Sequence, residues 1–114
     1  MTCPVTVPMD GLTYDCFPLD HVACRDEACV YLVLDGEPRL FQFAMPPVLD
    51  VGESGQARTR HAHHDRRQDW ERVSVTGNLW VAIHYTPTSA LPQTLRLRLE
   101  RALRLRYRPP CGDR

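Results

Sequence analysis

The chain predicts an α/β fold: a small three-stranded sheet, mixed or antiparallel, flanked by helices and carrying a long first hairpin. Three observations lead there. The runs from Cys29 to Leu34 and from Leu79 to Tyr85 are short, apolar and rich in β-branched and aromatic residues, as strands are. A third run, 48–51, closes on a glycine. The segment 95–107, in contrast, is built of leucine, arginine, glutamate and alanine, which favour helix. With 114 residues there is room for one modest hydrophobic core, so 1–114 reads as a single domain with its core over 28–112.

In chain order, residues 1–18 carry Pro4, Pro8 and Pro18 with little periodicity, which predicts irregular structure on the domain edge. Residues 19–24 have the makings of a short helix. The strand 29–34 stops at the Asp35-Gly36 turn signal, 40–43 continues a hairpin, Pro46-Pro47 interrupts it, and 48–51 forms the next strand. A polar, basic helix is expected over 55–67. The turn residues Thr76, Gly77 and Asn78 introduce the strand 79–85, which Thr86-Pro87 stops. In 95–107 leucine alternates with arginine at a period of two, as in a strand. The stretch lacks β-branched residues, however, and outruns the usual strand of ~5–6 residues. Leu91, Leu95, Leu99, Ala102 and Leu103 make a helical stripe, and a helix is the reading adopted. No internal repeat or low-complexity tract appears.

The formal net charge is zero, but residues 1–53 carry a net −7 and residues 54–114 a net +7. Every basic residue is arginine, for which a GC-rich genome is the bland source. The effect is to load the C-terminal half with planar guanidinium forks suited to phosphate oxygens. An acidic half folded against a basic half would leave one charged face for nucleic acid, while overall neutrality argues against strong nonspecific binding. No run approaches the ~18 apolar residues of a membrane helix, and the first residues lack the basic and apolar regions of a signal peptide. A cytoplasmic protein with no membrane partner is therefore expected. The five cysteines are odd in number and show no Cys-x-x-Cys spacing, which predicts reduced thiols.

The most informative stretch runs from Val51 to Asp65. Gly52 ends a β-type run, Ser54 follows, and Arg60 and His64 lie four apart, one above the other on a helix at roughly 6 Å between Cβ atoms. A backbone turn, an arginine and a histidine converging on one spot suit an anionic, phosphate-bearing ligand. Neighbouring Arg58, Arg66 and Arg67 are either solvated or further phosphate contacts. His61, His63 and His64 invite a zinc reading, but no Glu or Cys stands beside them at ligand spacing. His21 and His84 read as packing or surface residues, and Trp70 as a cap over the helix–sheet core.

Taken in order, these segments resemble the GIY-YIG nuclease superfamily over roughly 28–112. Cys29-Val30-Tyr31 stands at the GIY position and Asp50-Val51-Gly52 at the YIG position. Glu53-Ser54 matches the polar residues after that glycine, and Arg60 the arginine eight residues beyond it. His64 matches the histidine four further on, Glu100 the metal-binding glutamate, and Arg108-Pro109-Pro110-Cys111 the closing segment. The resemblance implies a metal-dependent endonuclease hydrolysing phosphodiester bonds in DNA, or in RNA. It implies Glu100 as ligand to one Mg²⁺ or Mn²⁺, with water completing the shell. Arg60 would donate to the non-bridging oxygens, and Tyr31 and His64 would orient or deprotonate the attacking water. So small a domain has little surface for sequence readout, so structure-selective or partner-directed cutting is expected, by a monomer or homodimer.

Three features depart from that pattern. Asp50 replaces the YIG tyrosine, and strand alternation would put it opposite both Leu49 and Val51, facing the site if Tyr31 does. There it would be a second metal ligand, the base, or the mark of a silent module that only binds nucleic acid or protein. Tyr31 and Asp50 lie 19 residues apart, longer than the usual hairpin. Gly112 stands where the family often has asparagine. Tyr31 as a plain core residue, and Glu100 as a helix salt-bridge partner of Arg96 or Arg104, are the structural alternatives.

Overall fold

The two β-branched runs become inner neighbours of one sheet. The structure, a computed structural model, describes residues 5–9 (backbone only), 12–38, 46–55, 66–86 and 93–112. Strands β1 (Val5–Met9), β2 (Leu12–Pro18), β3 (Cys29–Asp35), β4 (Val48–Ser54) and β5 (Leu79–Tyr85) form a five-stranded sheet in the order β1-β2-β5-β3-β4. Every pairing is antiparallel. Helix α1 spans Arg67–Val73 and helix α2 spans Gln93–Tyr107, with a 3₁₀ turn at Leu19–His21. The α/β class is as expected, with a wholly antiparallel sheet of five strands in place of three. No helix among the described residues is long and apolar enough to cross a membrane.

The extra strands are β1 and β2, where irregular structure was expected. The prolines misled: Pro8 sits in β1, an edge strand where a missing N–H is tolerated, and Pro18 ends β2. Met9 pairs with Leu12, leaving Asp10-Gly11 as the two-residue connection, a strong hairpin signal that the prolines overrode. The expected helix at 19–24 is the shorter turn at Leu19–His21. Of the basic helix expected at 55–67, residues 56–65 lie outside the described residues, as does the segment 40–43. Arg67, the last residue of that expected helix, instead opens α1, so the helix at Arg67–Val73 was not expected.

Side chains alternate across the sheet to make two apolar layers. Tyr31, Val33, Val81 and Ile83 face Trp70 of α1, with Phe17, Leu49 and Cys111 in the same layer. Val30, Leu32, Leu34, Val51 and Ala82 face Leu103 of α2, with Leu99 and Tyr107 packed against them. The helices thus flank opposite faces.

One irregularity matters for the site. The β3–β4 register runs from Cys29↔Ser54 to Val33↔Asp50 and then slips to Leu34↔Val48, leaving Leu49 as an extra residue. This bulge turns Leu49 to the same face as Asp50, correcting the simple alternation, while Val51 stays opposite. The long hairpin is present: residues 36–47 connect β3 to β4, and Asp35 N–H donates to Pro47 O at 2.9 Å.

Helix α2 uses part of the expected stripe: Leu99 and Leu103 pack on the sheet, Leu95 and Ala102 are exposed, and Leu91 lies outside the described residues. Leu103 is buried, but Leu95, Leu97 and Leu105 are exposed and Arg96 is buried. Beside the apolar row Leu99, Leu103 and Tyr107 runs a charged row, Arg96, Glu100 and Arg104, because the edge strand β4 offers carboxylates and a carbonyl there. The helix ends with Arg108 N–H donating to Arg104 O at 2.8 Å and Arg108 in the left-handed region, φ 46°. Glycine is usual at such a cap, and a side chain there costs roughly 1–2 kcal/mol.

Candidate functional site

The site is built on edge strand β4, where α2 and the C-terminal segment close over it. Asp50 is completely buried. Its Oδ1 accepts from Arg104 at 2.9 Å, and its Oδ2 accepts from the Trp70 indole Nε1 at 2.7 Å. Arg66 Nε lies 3.2 Å from Oδ2, and the Val51 backbone N–H donates to Oδ1 at 2.8 Å. Two guanidiniums and an indole thus surround one carboxylate. A buried charge is tolerable only when so paired.

Arg104 ties this carboxylate to the helix and the tail. It donates to Val51 O, to Cys111 O at 3.2 Å and to Glu100 Oε1 at 3.3 Å. Cys111 N–H in turn donates to Leu49 O at 3.0 Å, so the tail and Arg104 together use outward-facing carbonyls of the edge strand. Two turns before Arg104, Arg96, buried, bonds Glu53 at 2.7 Å. Glu100 therefore pairs with Arg104 and not with Arg96.

Tyr31 is fully buried, directly across from Gly52. A Cβ built on Gly52 would overlap Tyr31 Cζ and Oη, so the glycine is there to seat the ring. Gly112 has a related role. Its φ is +91°, and a Cβ there would overlap Arg104 Nη2 and Asp50 Oδ1. The backbone of Gly112 is thus packed directly against the Asp50 carboxylate.

Of the nine residues expected to form the site, Asp50 and Glu100 are brought together through Arg104. Tyr31 lies on the Asp50 face, two residues from its cross-strand partner Val33. Ser54 is half-buried at the end of β4. Arg66 and Arg67, expected as phosphate contacts, are engaged within the protein: Arg66 with Asp50, and Arg67 with Asp20 and Glu71. The reason is the charge split itself, because cross-half pairs consume part of the basic excess. Arg58, Arg60 and His64 lie outside the described residues. Trp70 is fully buried, as its reading as a core cap requires. His84 packs against Tyr14, with Nδ1 3.0 Å from Thr13 O.

Sequence reasoning missed Arg104, Arg96 and Gly112 as members of the site. A signal was present in the spacing of Arg96, Glu100 and Arg104, a charged row four residues apart in an otherwise leucine-rich helix. Burial pushes the Cys29 thiol up to about 12, with Cys24 adding to the shift, and burial also carries Cys16 to about 12. Both thiols are therefore protonated and unreactive at neutral pH.

In comparisons with protein-family models, curated proteins and solved structures, nothing matches this chain.

Proposed function

We propose that the protein is a metal-dependent nuclease hydrolysing phosphodiester bonds, with DNA as substrate, by structure-selective or partner-directed cutting. The observation that carries this reading is the Arg104 bridge, which sets Glu100 beside Val51 and Asp50, half a chain away in sequence. Glu100 is half-buried, and one of its oxygens takes no hydrogen bond among the described residues. Among the described residues no three of His, Cys, Asp and Glu gather as a metal cage. A lone carboxylate fits Mg²⁺ or Mn²⁺, ions that keep several waters and take phosphate oxygens. When bound, such an ion supplies charge neutralisation at the scissile phosphate.

The chain's own residues divide the remaining work. Arg60, on its sequence position, would donate to the non-bridging oxygens as negative charge builds there. His64 would take the proton of the attacking water, having an unperturbed pKa near 6.5. Tyr31 and Asp50, sealed from water, shape the strand that leads to them. Arg104 holds Glu100 in a fixed orientation from below.

The rival reading is a silent module that binds nucleic acid or a protein. It is favoured by the saturation of Asp50 and by the Glu100–Arg104 pair, which competes with a metal. Cleavage of supercoiled plasmid and branched oligonucleotides with Mg²⁺ or Mn²⁺ separates the two. Glu100→Gln and Arg60→Ala should each lower the rate at least about 100-fold, the scale of losing one stabilising contact in the transition state. Cleavage that survives both changes removes the assignment. Absence of cleavage together with salt-sensitive binding supports the silent module.

A further inference from the structure

A groove of about 670 Å³ runs along the C-terminal half of α2 and the start of the tail. Its walls include Leu97, Leu105 and Pro109 as apolar surface, and Glu100, Arg101 and Arg108 as charged groups. Arg104, which also lines it, is spent on Asp50, Glu100 and the backbone. Arg101 and Arg108 are exposed and make no ion pair among the described residues. Leu97 and Leu105 are 42% and 72% exposed and stand together on this one face, so they form a contiguous apolar patch with Pro109.

Arg108 adds a second, independent observation. It occupies the left-handed cap at which glycine is favoured, and its side chain lines the end of this groove. The groove therefore presents two uncommitted arginines and an apolar floor, with the Glu100 carboxylate between them.

Resting on the nuclease reading, we propose that this groove binds one unpaired nucleotide of a nucleic-acid strand. The base lies on Leu97, Leu105 and Pro109, and the flanking phosphates meet Arg101 and Arg108. Guanidinium forks match phosphate oxygens. The volume falls within the range of small-ligand sites and accommodates a single splayed base. A stacked duplex hides the base faces that such a floor would contact, so the groove selects unpaired ends, flaps or gaps. An acidic peptide fits less well, since its carboxylate side chains bring no flat apolar face to lie on Leu97, Leu105 and Pro109.

The test is fluorescence anisotropy of the full chain in EDTA, where no metal-dependent cutting occurs. The probes are a single-stranded oligonucleotide, a blunt duplex and the same duplex with a one-nucleotide flap, with an acidic peptide as competitor. Arg101→Ala and Arg108→Gly should each weaken single-strand and flap binding about tenfold, the scale of a hydrogen bond to a charged group. Each should also lower the salt slope by about 0.7. Leu105→Ser should weaken flap binding more than duplex binding. Arg108→Gly should melt no lower than the parent chain, because glycine relieves the cap, so its binding defect cannot be blamed on unfolding. The proposal is overturned by unchanged binding in Arg108→Gly, by equal affinity for duplex and flap, by peptide competition, or by a parent chain that binds none of the oligonucleotides. If groove variants bind normally while Glu100→Gln abolishes cleavage, the groove assignment falls and the nuclease reading stands. If groove variants lose binding while no form cleaves, the groove assignment stands and the nuclease reading falls.

Discussion

Two buried carboxylates stand near the loop end of the β3–β4 hairpin, one on each strand, and they are held by different chemistry. Asp35, at the end of β3, is held by neutral donors: Ser74 Oγ at 2.7 Å, Val75 N–H at 2.8 Å, and Thr76 through its Oγ1 at 2.6 Å and its N–H at 3.2 Å. Asp50, in β4, is held by two guanidiniums and an indole. Asp35 fastens one short turn, 74–78, to the sheet. Asp50 joins three segments far apart in the chain: the stretch before α1, helix α2, and the tail at 111–112. A hydrogen-bonded latch is a local device, whereas a charge cluster makes distant parts of the fold depend on one another.

The largest expected effect follows from that dependence. Asp50→Ala leaves Arg66 and Arg104 without their shared partner and should cost about 3–5 kcal/mol, the scale of breaking a buried ion pair. Urea titration would read this as a lower midpoint, and hydrogen exchange should rise together in β4, α1 and α2. A loss confined to one element would erase the distinction between the two carboxylates.

Asp35→Ala should cost less, about 2–3 kcal/mol, and hydrogen exchange should rise mainly in 74–78. Its pH signature sharpens the comparison. Burial alone would raise the Asp35 pKa, but the donors from Thr76, Val75 and Ser74 outweigh burial and hold it below the usual carboxylate range. The stability Asp35 contributes is thus complete above the unfolded value of about 3.9 and disappears as pH falls through the lower folded value. Asp35→Asn should flatten the stability profile below about pH 4, as followed by denaturant midpoints at stepped pH. An acid limb unchanged by Asp35→Asn would remove the latch assignment.

The smallest effect is expected at Gly112→Ala, about 1–2 kcal/mol, from a Cβ forced against Arg104 and Asp50 at an unfavourable φ. A double-mutant cycle with Asp50→Ala should show marked non-additivity, since the two residues touch. Additive costs would mean that the tail and the carboxylate act separately.

How far the fold can be read from the sequence depends on where each signal originates. β3 and β5 are legible because burial on both faces demands near-continuous apolar runs. Helix α2 is legible from its composition and length, despite a leucine–arginine alternation that mimics a strand. β1 and β2 were obscured by Pro8 and Pro18, since the rule that proline breaks strands fails at a sheet edge and at a strand end. That Tyr31 and Asp50 share a face follows from alternation only together with the β3–β4 register, Val33↔Asp50. The bulge at Leu49 does not, because nothing local distinguishes a bulged residue from its neighbours. Burial of both side chains depends on what α1, α2 and the tail bring over them. That is tertiary information, and a motif comparison treats Asp50 as if it stood alone.

The contact between Asp50 and Gly112 carries a consequence for rebuilding such a chain. Arg66, Arg104 and the bare backbone at 112 enclose one carboxylate, so β4, the last turn of α2 and the tail make one unit of exchange. A chimera that transplants β4 without that turn and the tail would carry a buried charge with only Arg66 and Trp70 to hold it.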